Sequence, residues 1–188
     1  MGPALAVGDA NGDGLEDIFM GNGAGAAGQL WFQKQEGGFK LVSSLLSSPE
    51  SIIYEDSDVV FFDANGDDYL DLYVASGSYE FPADAPQLRY RLHFGTPNGA
   101  FRTDENTLPI KHISTNCVAA ADVDQDGDTD LFIGGGYKYG EYPESYPSQL
   151  LLNDCSGNFT SLDIPADNVI DASCGDYNGD EKMEFLIV

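Results

Sequence analysis

Asp122-Val-Asp-Gln-Asp-Gly-Asp-Thr-Asp130 places an oxygen-bearing side chain at every second residue. The same nine-residue pattern returns as Asp9-Ala-Asn-Gly-Asp-Gly-Leu-Glu-Asp17, as Asp63-Ala-Asn-Gly-Asp-Asp-Tyr-Leu-Asp71 and as Asp176-Tyr-Asn-Gly-Asp-Glu-Lys-Met-Glu184. The copies begin at positions 9, 63, 122 and 176, so they recur every 54, 59 and 54 residues. Self-similarity at a nearly fixed period is the mark of a repeat architecture, in which one supersecondary unit is used again and again.

Each acidic loop lies between two short apolar runs. Ala4–Val7, Asp58–Phe62, Cys117–Ala121 and Asp171–Cys174 precede the loops; Ile18–Met20, Leu70–Ala75, Leu131–Ile133 and Phe185–Val188 follow them. β-Branched, aromatic and small residues dominate, which predicts two strands, A and B, joined by a tight turn. A second signature follows. Leu30-Trp-Phe32 leads through Gly37 to Phe39, Leu92-His-Phe94 through Gly99 to Phe101, and Leu150-Leu-Leu152 through Gly157 to Phe159. This predicts another hairpin, strands C and D. No stretch reads as a long amphipathic helix.

Four short strands in one repeat of this length make a propeller blade, a four-stranded antiparallel sheet radiating from a central channel. The expected fold is therefore all-β. It consists of three full β-propeller blades and the first hairpin of a fourth, in one partial propeller over 1–188, with repeats at about 3–57, 58–115, 116–170 and 171–188. Small residues such as Ala4, Ala6, Ala119, Ala121 and Ala172 suit the crowded inner strand. Propellers usually have about four to eight blades, so the expectation is a fragment of a longer propeller or an arc that another chain completes.

The loops carry the chemistry. A hard cation such as calcium takes about six to eight oxygen ligands, and short oxygen side chains at alternate positions of a tight turn can wrap one ion. Positions 1, 3, 5 and 9 offer side chains, and position 7 its backbone carbonyl. The candidate ligand sets are Asp9, Asn11, Asp13, Leu15 and Asp17; Asp63, Asn65, Asp67, Tyr69 and Asp71; Asp122, Asp124, Asp126, Asp128 and Asp130; and Asp176, Asn178, Asp180, Lys182 and Glu184. Up to four Ca2+ ions are expected. The third loop carries the most carboxylates and should bind most tightly. The fourth is the least regular, with Glu181 where the first and third have Gly14 and Gly127. An EF-hand would need a carboxylate at position 12 and a helix after it. Here position 12 is Met20, Val74, Ile133 or Ile187, inside the next apolar run, so that reading is rejected. Asp, Asn and Gly also make good turns without any ion. Four copies in register, each closing on an acid, favour the metal.

Composition limits the partners. The formal charge of −24 repels nucleic acid and anionic membranes and attracts divalent cations. No apolar run reaches the roughly 18–20 residues that cross a bilayer, so membrane insertion is not expected. Cys117, Cys155 and Cys174 read as small buried residues rather than a disulfide framework or zinc site. Gly23-Ala-Gly-Ala-Ala-Gly28 matches a dinucleotide-binding pattern but opens onto the Gln29-Leu-Trp-Phe32 strand run rather than a helix. The clustered acids are used by the loops, and His93 and His112 lack partners; no catalytic constellation remains, and the chain is not expected to be an enzyme.

The connections from strand B to strand C leave the opposite end of each blade from the acidic loops. In the second and third repeats they are long and rich in aromatics. Tyr79, Phe81, Tyr137, Tyr139, Tyr142 and Tyr146 form a candidate ligand face there. Tyrosine offers a rigid ring and a hydroxyl, which suits a protein or glycan ligand.

The stretches Gly8-Asp-Ala-Asn-Gly-Asp-Gly-Leu-Glu-Asp-Ile-Phe19, Phe62-Asp-Ala-Asn-Gly-Asp67 and Ala121-Asp-Val-Asp-Gln-Asp-Gly-Asp-Thr-Asp-Leu-Phe132 resemble the FG-GAP/VCBS repeat family. Leu151-Leu-Asn-Asp-Cys-Ser-Gly-Asn-Phe-Thr160 is similar to the C–D hairpin of bacterial surface or secreted members with an ASPIC/UnbV-type region. The resemblance implies the β-propeller of integrin α-chains, calcium in the A–B loops, and an extracellular, cell-surface or periplasmic location. It also implies a module for adhesion or for protein or glycan binding. Alternatives are a propeller domain of a secreted polysaccharide-degrading enzyme and a purely architectural repeat.

Overall fold

The computed structural model describes residues 4–42 and 51–188. Its strands are β1 (Leu5–Gly8), β2 (Asp17–Met20), β3 (Gln29–Gln33), β4 (Phe39–Val42), β5 (Asp56–Phe62), β6 (Asp71–Ser76), β7 (Arg91–Phe94), β8 (Arg102–Thr103), β9 (Thr115–Ala121), β10 (Asp130–Gly135), β11 (Pro147–Asn153), β12 (Phe159–Asp167), β13 (Ala172–Gly175) and β14 (Glu184–Ile187). They form antiparallel sheets in the orders β1-β2-β3-β4, β5-β6-β7-β8 and β9-β10-β11-β12, followed by the two-stranded sheet β13-β14. Among the described residues there is no α-helix; two short 3-10 turns cover Ser51–Ile53 and Pro86–Leu88. This is the expected architecture of three full blades and a hairpin, and the sheets do not close into a ring.

Strand ends differ from the sequence reading by one or two residues. β9 starts at Thr115 rather than Cys117, and β5 at Asp56 rather than Asp58, because both continue past a register shift that the residue pattern does not reveal. The outer strands vary most: β8 has 2 residues and β12 has 9. Outer strands lack a neighbour on one side, so little fixes their length.

The inner strands β1, β5, β9 and β13 lie next to one another in chain order. Two polar links join them. The Val118 N–H donates to Asp58 Oδ2 at 2.8 Å, and Cys174 Sγ lies 3.0 Å from the Ala120 carbonyl oxygen. Three apolar clusters fill the junctions between sheets. Ala4, Ala6, Phe19 and Leu30 of the first sheet meet Val59, Leu72, Val74 and Phe101 of the second. Phe62, Tyr73, Leu92 and Phe94 of the second meet Val118, Leu131, Leu151 and Phe159 of the third. Cys117, Ala119 and Phe132 of the third meet Ala172 and Phe185 of the hairpin. Cys117 is buried as expected, but Cys155 is exposed in the turn before β12. The turn holds it at φ 61°.

One cross-strand row shows how the repeat tolerates change. Ile18–Trp31–Leu41 in the first sheet corresponds to Leu72–His93–Thr103 and to Leu131–Leu151–Ser161. His93 is buried, with Nδ1 2.7 Å from Thr103 Oγ1 and Nε2 without a partner. Burial, reinforced by the Arg91 charge, pushes its pKa down to about 3. The unfolded chain takes up this proton near pH 6.5 while the folded chain refuses it. Stability due to this group is therefore complete above pH 6.5 and drains away as pH falls toward 3, by about 1.4 kcal/mol per pH unit. His93→Leu copies Leu151 and removes this loss. Denaturant titrations should show the variant's advantage growing by up to about 3 kcal/mol between pH 7 and pH 4; parallel pH profiles would contradict it.

Candidate metal centre

Each acidic loop caps a two-strand hairpin, and its conformation follows from backbone sterics. Positions 4 and 6 both take left-handed φ. Position 6 is Gly14 (86°), Asp68 (67°), Gly127 (97°) and Glu181 (67°), and position 4 is Gly12, Gly66, Gln125 and Gly179. Asp68, Gln125 and Glu181 adopt this conformation at a cost of about 1–2 kcal/mol each, so something else must hold the turn.

The side chains at positions 1, 3 and 5 hold it. Asp9 accepts from the N–H groups of Gly12, Asp13 and Gly14 at 2.8–3.0 Å. Asp63 accepts from Asn65, Gly66, Asp67 and Asp68, Asp122 from Gln125 and Gly127, and Asp176 from Gly179, Asp180 and Glu181. These donors, led by the Glu181 N–H, hold the Asp176 carboxyl below the usual range. Asn11, Asn65 and Asp124 accept from the N–H at position 5. Asp13, Asp67, Asp126 and Asp180 accept from the N–H of Leu15, Tyr69, Asp128 and Lys182, the position-7 residues. The loop thus curls around its own carboxylates.

Position 9 does something different. Asp17, Asp71 and Asp130 are essentially buried, at 0%, 0% and 1% exposure. One carboxylate oxygen of each accepts from the N–H at position 2: Ala10 at 3.1 Å, Ala64 at 2.9 Å and Val123 at 3.1 Å. The other accepts from the end of strand C: Gln33 at 2.8 Å, Gly95 at 2.7 Å and Asn153 at 2.9 Å. Each of these acids ties its loop to the third strand of its blade. Burial pushes all three carboxyls up in pKa, Asp71 to about 6, against the pull of the two N–H donors. Glu184 has the first link, from Tyr177 at 2.9 Å, plus one from Asn178 Nδ2 at 2.6 Å, but no third strand beside it.

Oxygen donors converge in the third and fourth loops. Carboxylate oxygens of Asp122, Asp124 and Asp130 lie within 4.8 Å of one another, and so do those of Asp176, Asp180 and Glu184. The Asp124 carboxyl is raised, first by desolvation and then by the charge of Asp126. In the first two loops, Asn11 and Asn65 supply an amide at position 3, and Asn11 Nδ2 bonds to Asp17 Oδ2 at 3.1 Å. This donor set is all oxygen and fits a hard cation. The third loop departs from its expected ligand set. Asp126 does not join the Asp122 trio; its carboxylate groups with Asp128 and Cys155 Sγ instead. The hydrogen bond to Asp128 opposes ionisation of Cys155 most, local desolvation and the Asp128 charge add to it, and its pKa rises to about 11.

The third-strand N–H donors at Gln33, Gly95 and Asn153 were not among the expected site residues. Their signal in the sequence is positional: each directly follows the Leu-x-Phe or Leu-Leu-Leu run of strand C.

At the opposite end, the aromatic face divides. Tyr79, Tyr139 and Tyr142 are exposed. Tyr146 packs against the cluster between the second and third sheets, and Phe81 is half-buried. Half-buried Tyr137 accepts a hydrogen bond from Asn168 Nδ2 at 2.8 Å and carries the ring of Tyr142 at 5.1 Å.

Residues 9–74 match the model of the FG-GAP-like repeat. The chain carries an FG-GAP-like repeat. The match runs from the first acidic loop through the second and into β6. The third loop, beyond the matched span, keeps the buried position-9 carboxylate and both of its backbone links. No curated protein matches the chain.

Proposed function

We propose that this FG-GAP-like chain is a calcium-binding, propeller-like module that works outside the cytoplasm as a binding or adhesion element rather than as an enzyme. The observation that carries the reading is that one loop design occurs four times, each copy presenting carboxylate oxygens, joined in three of them by an asparagine amide, around a turn built by its own backbone. Bound calcium would supply positive charge among crowded carboxylates, which otherwise repel one another. Asp9, Asn11, Asp13 and Asp17 would hold one ion, with their counterparts in the other loops holding the rest. Each ion adds two positive charges, so four would bring the formal charge from −24 to about −16. The role is structural: a calcium-filled loop fixes the hairpin at the inner edge of each sheet.

Calcium rather than magnesium is favoured because magnesium demands near-octahedral geometry and keeps much of its water. The other end of the blades is then left for a ligand. Tyr139 and Tyr142 present exposed rings on a loop closed by the Tyr137–Ser145 bridge and by the Lys138 N–H bond to the Glu144 carbonyl. A protein or glycan suits such a surface better than an ionic ligand.

Calorimetric titration of the chelator-stripped protein tests the metal reading. Calcium should bind at several sites per chain, with affinities around 10⁻⁴–10⁻³ M if they resemble other extracellular calcium modules. Magnesium at the same concentration should give much less heat. No calcium uptake would remove both the metal and the family-based function.

A further inference from the structure

One side chain joins the second and third acidic loops. Asn153 closes β11, and its backbone N–H donates to Asp130 Oδ1 at 2.9 Å. Its side-chain amide reaches further. Nδ2 lies 2.8 Å from the Ala64 carbonyl oxygen in the second loop and 3.2 Å from the Thr129 carbonyl oxygen in the third. Asn153 Oδ1 accepts from the N–H groups of Asp154 and Gly157 at 2.9 and 3.2 Å, which fixes the turn beyond it. The residue is 8% exposed, so water competes little for these bonds.

Ala64 completes a path. Its N–H donates to Asp71 Oδ2 at 2.9 Å, while its carbonyl accepts from Asn153. A buried chain of hydrogen bonds therefore runs from one position-9 carboxylate to the next: Asp71 to Ala64, Ala64 to Asn153, Asn153 to Asp130. The turn beyond Asn153 touches both loops as well. A Cβ on Gly157 would lie 2.7 Å from the Phe94 ring and 3.5 Å from Cβ of Asn65, the position-3 residue of the second loop. On its other side the Cys155 N–H donates to Asp128 Oδ2 of the third loop.

The other loops lack this path. The Gly99 turn sits on the first loop as the Gly157 turn sits on the second: a Cβ on Gly99 would lie 2.5 Å from the Phe32 ring and 2.8 Å from Asn11 Cβ. At the position of Asn153, however, stands Gly95, which gives Asp71 its N–H but has no amide to offer the first loop. A side chain there is shut out, because a Cβ on Gly95 would meet the Leu70 carbonyl oxygen at 2.3 Å. The third and fourth loops are linked by Gln125 Nε2 and the Glu181 carbonyl oxygen at 3.1 Å, but that bond is exposed and water competes for it.

We propose, resting on the calcium reading above, that Asn153 couples the second and third loops, so that an ion in either one raises the calcium affinity of the other. An ion held by a loop fixes the position-9 acid and, through it, the backbone at position 2. Fixing Asp71 and Ala64 orders Asn153 and its turn from one side; fixing Asp130 orders them from the other. The conformational entropy of the shared segment is lost once for two sites, so the second ion binds to a loop already half arranged. Repulsion between the two ions works the other way, and salt weakens it. Coupling of this kind is reciprocal: each loop changes the affinity of the other by the same factor.

Calcium titration in physiological salt, followed by nuclear magnetic resonance, tests this, because each loop carries its own glycine amide: Gly12, Gly66, Gly127 and Gly179. Asp122→Asn combined with Asp124→Asn disables the third loop while keeping an acceptor oxygen at both positions; loss of the Gly127 response verifies it. The calcium midpoint at Gly66 should then rise about fivefold, the lower end of coupling between linked sites, with Gly12 unmoved. Asp63→Asn combined with Asp67→Asn should move Gly127 by the same factor. Asn153→Gly copies Gly95 and keeps the N–H that Asp130 accepts. In it both midpoints should rise, and disabling the third loop should no longer shift Gly66. The loop variants leave Asn153 intact, so they decide the coupling even if Asn153→Gly does not fold. Glycine amides indifferent to calcium would remove the calcium reading and this proposal with it. Amides that respond, with a Gly66 midpoint unmoved when the third loop is disabled, overturn the coupling and leave calcium binding standing. A Gly66 shift that survives Asn153→Gly overturns the role of Asn153.

Discussion

Chelation of calcium should lower the melting temperature by about 10–20 °C. An ion present at tenfold its dissociation constant stabilises the fold by roughly 1.4 kcal/mol per site. Four loops would together contribute about 5–6 kcal/mol, comparable to the ~5–15 kcal/mol total of an ordinary domain. For a chain of this length each kcal/mol moves the melting point by about 2–4 °C. The loops are well placed to pass this on. Positions 1, 3 and 5 already fix the turn through the N–H groups they accept, and position 9 connects it to the sheet. An ion that tightens the oxygens therefore also tightens a buried acid. Melts of stripped protein with calcium, magnesium or chelator would measure the effect. A melting point indifferent to calcium would mean that the loops are held by their hydrogen bonds alone.

Asp71→Ala should cost about 3 kcal/mol or more even without metal. Among the described residues Asp71 is the sole acceptor for two buried donors, Ala64 N–H at 2.9 Å and Gly95 N–H at 2.7 Å. Leaving a buried donor unpaired costs about 1–3 kcal/mol. Part of this is offset, because removing a buried carboxylate also relieves the desolvation that raises its pKa to about 6. Asp71→Asn keeps an acceptor and should cost clearly less. Glu184→Gln, at a hairpin with no third strand, should cost least. Denaturant titrations in chelator separate these losses from calcium binding. Equal losses for Asp71→Ala and Glu184→Gln would refute the idea that the link to strand C matters.

Much of this was legible in the sequence, for physical reasons. The period, the apolar runs and the acidic loops are properties of side chains, and side chains specify the three sheets and the final hairpin. The need for left-handed φ at position 6 could also be anticipated, since Gly14 and Gly127 stand there; Asp68 and Glu181 adopt it too. The loop-to-strand tether was not legible from residue type. Its donors are backbone N–H groups of Gln33, Gly95 and Asn153, and any residue but proline supplies one. The grouping of Asp126 with Cys155 escaped for another reason: it needs the C–D turn to fold back over the A–B loop, a contact between distant segments. The division of the aromatic face likewise depends on tertiary packing, because a core tyrosine such as Tyr146 and an exposed one such as Tyr142 look alike in the chain.

The glycine turns give the molecule a direction. Gly99 rests on Phe32 and Asn11, and Gly157 rests on Phe94 and Asn65, so each blade leans on residues made earlier in synthesis. A ribosome releases the chain in the same order, and segments near the amino terminus fold first. When the Gly99 turn emerges, its seat on the first blade already exists, and the same holds for Gly157 on the second. The sheets can therefore be laid down one after another, each templated by its predecessor, with no blade waiting for a distant partner before its turn can settle.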